Sequence, residues 1–225
     1  MIRGFSLGDV WLLILAARWT VLLSAVAFLG GGVVGLVVAV LRTAPVRPLR
    51  WAMSGYVQLF QGTPLLLQLF VVFFGANLLG FTVDPWSAAA LGLTLYTSAF
   101  LGETWRGSIE AVPVTQWEAG RSLALSYGQQ LRLIILPQAC RIALPPTTGF
   151  LVQVVKSTSL TSVIGFVELT RTGQLVNNAT YRPLLVFGVV GGIYFVLCWP
   201  LSLTSQFLER RLDLRRPRRR RRGHR

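Results

Sequence analysis

Lys156 is the only lysine of the chain, and it stands in an apolar stretch ahead of Ser157, Thr158 and Ser159. An ammonium group in such a setting is costly. It either faces a cavity or a partner carboxylate, or the segment is displaced and the lysine snorkels to an interface. Gln58, Gln61 and Gln68 are the other polar groups set among apolar neighbours, either lining a path or hydrogen-bonding to adjacent helices. Glu103 and Arg106 lie three residues apart, the spacing of an ion pair that fixes a helix end, with a charged-solute contact as the competing role. Enzyme chemistry finds no support. The lone His224 is in the tail, no His-Glu-x-x-His or Gly-x-Ser-x-Gly occurs, and no glycine-rich loop ends in Gly-Lys-Ser/Thr. Cys140 and Cys198 have no metal or redox spacing and read as buried thiols. No catalytic residue, metal site or cofactor is expected in this chain.

The elements that must hold these groups are membrane helices. Of the 225 residues, 53% are hydrophobic and 13% charged, too few charges for a water-exposed surface, where about 25% is usual. The apolar runs predict five spans near 19–41, 55–80, 86–106, 142–167 and 184–207, preceded by an amphipathic lead-in over 1–18 and followed by an Arg-rich tail over 208–225. Gly30, Gly31, Gly32 and Gly35 permit close helix contact in the first span. Gly62-Thr63-Pro64 should break the second, and 168–183 reads as a loop. Between spans three and four lies a polar insert of two short helices. Thr115 to Glu118 and Ser126 to Gln129 each have capping-box spacing, and Pro137 should stop the second helix near Leu136.

Net charge is +14, carried by Arg at the 42–50 turn, in the insert and in the tail. An odd number of spans puts all three on one side, and the positive-inside bias makes that side cytoplasmic, with the N-terminus outside. After a final span the Arg-rich tail reads as a lipid or topology anchor rather than a nucleic-acid contact.

Glu118-Ala119-Gly120, Ala124 and Leu136-Pro137 follow the spacing of a cytoplasmic loop, and here the chain resembles ABC-transporter permeases of the bacterial importer type. Gly120 replaces the usual Ala and Ala124 the usual Gly. The Gln61–Leu66 run, Glu103-Thr104-Trp105-Arg106-Gly107, Pro137-Gln138-Ala139 and Lys156–Leu160 are similar to the polar amino-acid branch, and the resemblance covers residues 15–207. It implies a bacterial inner-membrane subunit that pairs with a second permease, same or homologous. It also implies a separate ATPase carrying ATP and Mg, and an extracytoplasmic amino-acid-binding protein. On this resemblance Glu118, Ala119, Gly120, Ala124, Leu136 and Pro137 form the ATPase-coupling segment.

An amino-acid zwitterion crossing the bilayer needs donors for its carboxylate and acceptors for its ammonium group, and interrupted helices supply both. The expected path is Gln61 and Thr63 from the first break with Lys156, Ser157 and Thr158 from the fourth span, and Glu103 in reserve for a cationic side chain. The rival is an ion-coupled secondary transporter, which would show membrane carboxylates and repeated halves. Glu103 is the one carboxylate the sequence places near a span core, and no repeat is evident.

Overall fold

The computed structural model describes residues 3–212, which are almost entirely helical. The lead-in and first span form one unbroken helix, α1 (Leu7–Thr43), begun by a Ser6/Asp9 capping box and an Arg3–Asp9 ion pair. After the basic turn come α2 (Arg47–Gly62) and, past Thr63-Pro64, α3 (Leu65–Phe70), a π turn (Val71–Gly75) and α4 (Ala76–Leu78). The chain bends by 104° at this break, where Pro64 has no N–H to continue the ladder. Gln68 repairs the loose end: its Nε2 donates to the carbonyls of Phe60 (2.8 Å) and Thr63 (3.0 Å). α5 (Pro85–Glu110) follows, its start capped by Asp84, which accepts from the N–H groups of Trp86 and Ser87.

The insert is α6 (Val114–Ser122) and α7 (Tyr127–Gln130), and here two expectations fail. α6 starts one residue before Thr115, behind Pro113, so Thr115 and Glu118 lie inside the helix and make no capping box. The Ser126/Gln129 box does form. Pro137 does not end a helix. A π turn (Leu131–Ile135) widens the ladder just ahead of it, and α7 runs on into α8 (Leu136–Ser157). The extra residue of a π turn gives the proline ring room that a regular α-turn denies it. α8 passes into a 3-10 segment (Thr158–Ile164) and turns at Gly165, whose φ of 90 favours glycine. The expected loop at 168–183 is mostly α9 (Leu169–Thr180), and the last helix is α10 (Pro183–Leu212). The arginines from Arg215 onward lie outside the described residues.

α1 and α5 pack most closely. A Cβ on Gly31 would sit 2.6 Å from Thr97, and one on Gly35 3.0 Å from the Ser98 carbonyl oxygen. The main core joins Leu23 and Ala27 of α1, Leu65 and Leu69 of α3, Leu93 of α5, and Val154 and Ile164. Among the described residues α1 and α10 are each long and apolar enough to cross a membrane, and counting each of the bent pairs Arg47–Gly62 with Leu65–Leu78 and Tyr127–Ile164 with Leu169–Thr180 as one span brings the number up to four. α5 is 26 residues long but less apolar, as a helix enclosed by its neighbours can be.

Candidate functional site

The insert gathers at one end of the bundle with the basic turn. The Tyr127 hydroxyl donates to the Thr43 carbonyl (2.8 Å), Trp117 stacks on Tyr127, and a cleft there holds Arg42, Arg50 and Glu110. α6 ends in a Schellman motif, with Leu125 N–H bonded to the Gly120 carbonyl (3.1 Å) and Ala124 N–H to that of Arg121 (2.9 Å). The motif requires a left-handed residue, and Ala124 takes it at φ 54. Gly120 is turned inward: a Cβ there would meet Gln130 at 2.8 Å. It therefore permits α6 to close on α7. The outward face holds Glu118, Ala119 and Leu123, and Leu123 is a 71% exposed apolar side chain on a polar element. Leu136 is half-buried against Ile109, Leu131 and Ile135, while Pro137 is exposed.

Glu103 is held in an ion network with Arg42 of α1 and with Arg106 (2.5 Å), which also pairs with Glu110. The structural role weighed for it is thus occupied. Gln61 is exposed, with Nε2 3.4 Å from the Ala99 carbonyl, and Thr63 donates to the Leu59 carbonyl (2.7 Å). Gln68, the third of the glutamines set among apolar neighbours, is buried, its Nε2 bonded to the Phe60 and Thr63 carbonyls and its Oε1 unpartnered.

Lys156 is exposed near the end of α8 and lines a cleft of about 360 Å³ with Tyr194, Cys198, Trp199 and Ser202 of α10. Ser157 and Thr158 are buried, and the Thr158 hydroxyl donates to the Val155 carbonyl (2.8 Å). Ser159, Thr161 and Ser162 repeat this bond three residues back, so the hydroxyls staple the passage from α to 3-10 helix. The two breaks are neighbours: α3, just past the first, packs against the 3-10 segment just past Lys156.

A buried carboxylate escaped sequence reading. Glu168, assigned to a loop, is fully buried at the head of α9. The signal available was its position two residues ahead of free N–H groups, the place of an N-cap.

A bundle of long apolar helices with two bent pairs and a polar insert at its basic end is the architecture of a membrane-embedded protein. Residues 31–215 match the family described as the binding-protein-dependent transport system inner membrane component, and the chain belongs to that family. It is therefore a multi-pass inner-membrane transport subunit rather than an enzyme. It is 38% identical over 196 residues to the L-cystine transport system permease protein of Bacillus subtilis (strain 168), covering 87% of this chain and 84% of that one. A probable glutamine ABC transporter permease protein of the same organism is also 38% identical, over 86% of this chain and 90% of that one. Among solved structures, the crystal structure of an amino acid ABC transporter with histidines matches with a TM-score of 0.84 at 32% identity, over 89% of this chain and 94% of that one. The inward-facing MetNI methionine ABC transporter, at 22% identity and a TM-score of 0.79 over 92% and 99%, shares the fold.

Proposed function

We propose that this chain is the permease subunit of an ATP-driven amino-acid importer, with α6 as its contact to a separate ATPase that carries ATP and Mg. The observation that carries the reading is the insert: a motif-closed helix at the basic end, presenting Glu118, Ala119 and exposed Leu123. The names of the relatives support amino acids as the solute class. Five traverses fit the contacts, namely α1, α2 with α3 and α4, α5, α8 with its 3-10 segment, and α10. The turns at Asp84 and Gly165 share a cleft with Trp19 at one end, and the Arg42–Arg50 turn meets the insert at the other. On the positive-inside bias the insert end is cytoplasmic and the N-terminus outside.

Five helices enclose little room for a path, so a second permease subunit completes it, and an extracytoplasmic binding protein delivers the solute. The path runs past the first break, with Gln61 and Thr63, to the Lys156 cleft, where the ammonium group meets the solute carboxylate. Ser157 and Thr158 form its backing, and Glu103 stays in its ion network. Co-purification of the partner ATPase tests the docking face. Leu123→Asp and Ala119→Trp should lose the ATPase while the permease remains inserted, and full retention by both overturns the assignment. A cysteine at Ser126 should resist membrane-impermeant reagents in sealed cells; labelling from outside reverses the orientation.

A further inference from the structure

Glu168 is fully buried between the 3-10 segment and α9. Its Oε1 accepts from the Arg171 N–H (2.9 Å). Its Oε2 accepts from the Thr170 N–H (2.9 Å), the Thr20 hydroxyl of α1 (3.3 Å) and the Tyr194 hydroxyl of α10 (2.9 Å). All four partners donate, which suits an acceptor-only carboxylate. The two backbone contacts cap α9. The other two reach across to different helices, which capping does not require. The Tyr194 oxygen also lies 3.0 Å from Thr170 Oγ1, and Tyr194 forms a wall of the Lys156 cleft beside Cys198 and Ser202. One buried carboxylate thus joins the head of α9 to the wall of that cleft.

We propose that Glu168 is a positioning residue for the cleft: by holding the Tyr194 hydroxyl it sets the cleft wall relative to α9 and α1. This rests on the reading of the Lys156 cleft as part of the solute path. Capping and positioning separate in one substitution. Aspartate is a good N-cap but one methylene shorter, so Glu168→Asp keeps the Thr170 and Arg171 N–H bonds and withdraws from Tyr194 and Thr20. Tyr194→Phe removes the hydroxyl alone. Cys198, one helical turn beyond Tyr194 in the same cleft, is a native reporter of the wall.

The experiment uses the full chain with its ATPase and binding protein in proteoliposomes, in a Cys140→Ser background. It reads the solute KM and the rate at which a small methanethiosulfonate reagent labels Cys198. Glu168→Asp and Tyr194→Phe should each raise KM roughly tenfold, as loss of a hydrogen bond to a charged group does. Each should also speed labelling, and the double variant should go no further than either alone, since the two residues share one interaction. Parental KM and labelling in Glu168→Asp, with loss only in Glu168→Ala, overturn the proposal and leave a helix cap. Impaired uptake in Lys156→Met with parental Tyr194→Phe overturns this proposal alone. Parental behaviour in both also removes the cleft from the path.

Discussion

Ala124 shows how much one side chain settles in the insert. It occupies the left-handed position that closes α6, where an L-residue is disfavoured by about 1–2 kcal/mol and glycine is not. Ala124→Gly should raise stability by about 0.5–1 kcal/mol after the entropy glycine adds to the unfolded chain, read as a higher thermal midpoint in detergent. Sequence spacing singled out Ala124 by its small size. The backbone angle that makes glycine preferable there was not legible from size alone. Glu168 was hidden for a related reason: its four donors come from residues 20, 170, 171 and 194, a convergence that only the fold creates. Asp84 offers a pH test outside the spans. The Ser87 hydroxyl and the N–H groups of Ser87 and Trp86 hold its carboxyl below the usual carboxylate range. Its folded value lies below the unfolded one, so its contribution is present above about pH 4 and is lost as pH falls through the lower value. Thermal midpoints of the parent and Asp84→Ala should differ at pH 6 and draw together as the pH is lowered below about 4.

Among the elements, a close helix contact on this face of α1 was written in the sequence by Gly31 and Gly35, and the fold supplies α5 as the partner. At Gly35 the obstacles to a side chain are the backbone atoms Ser98 O and Gly102 N, which cannot rotate away. Gly35→Val should therefore cost about 1–3 kcal/mol, seen as a lower thermal midpoint and reduced membrane expression. The break at Gly62-Thr63-Pro64 was equally legible, because proline chemistry acts locally. Pro137 was misread by the same rule, for the rule omits the π turn that absorbs the ring. α9 escaped because its buried face consists of Leu169, Thr172, Gly173, Val176 and Thr180, helical in spacing but weak in hydropathy.

For the whole molecule, the separation of ends is what makes transport intelligible. The Lys156 cleft and the buried Glu168 belong to the body of the bundle, and the insert is continuous with the helix that carries Lys156. α7, the π turn and α8 form one helical path from Tyr127 to Ser157, the route by which, on the proposed function, a push on the insert would reach Lys156. The all-helical class was visible from the sequence because apolar runs are local, whereas of the two capping spacings in the insert only Ser126/Gln129 formed. The partnership of Lys156 with α10 depends on packing and was not visible. Amino-acid uptake into proteoliposomes containing the permease, its ATPase and binding protein, with ATP on the insert side, tests this account most directly. Uptake should require ATP hydrolysis and fall at least about tenfold in Leu123→Asp at matched insertion, the loss expected for a docking hot spot. Uptake driven by an ion gradient without ATP, or unaffected by Leu123→Asp, would contradict it.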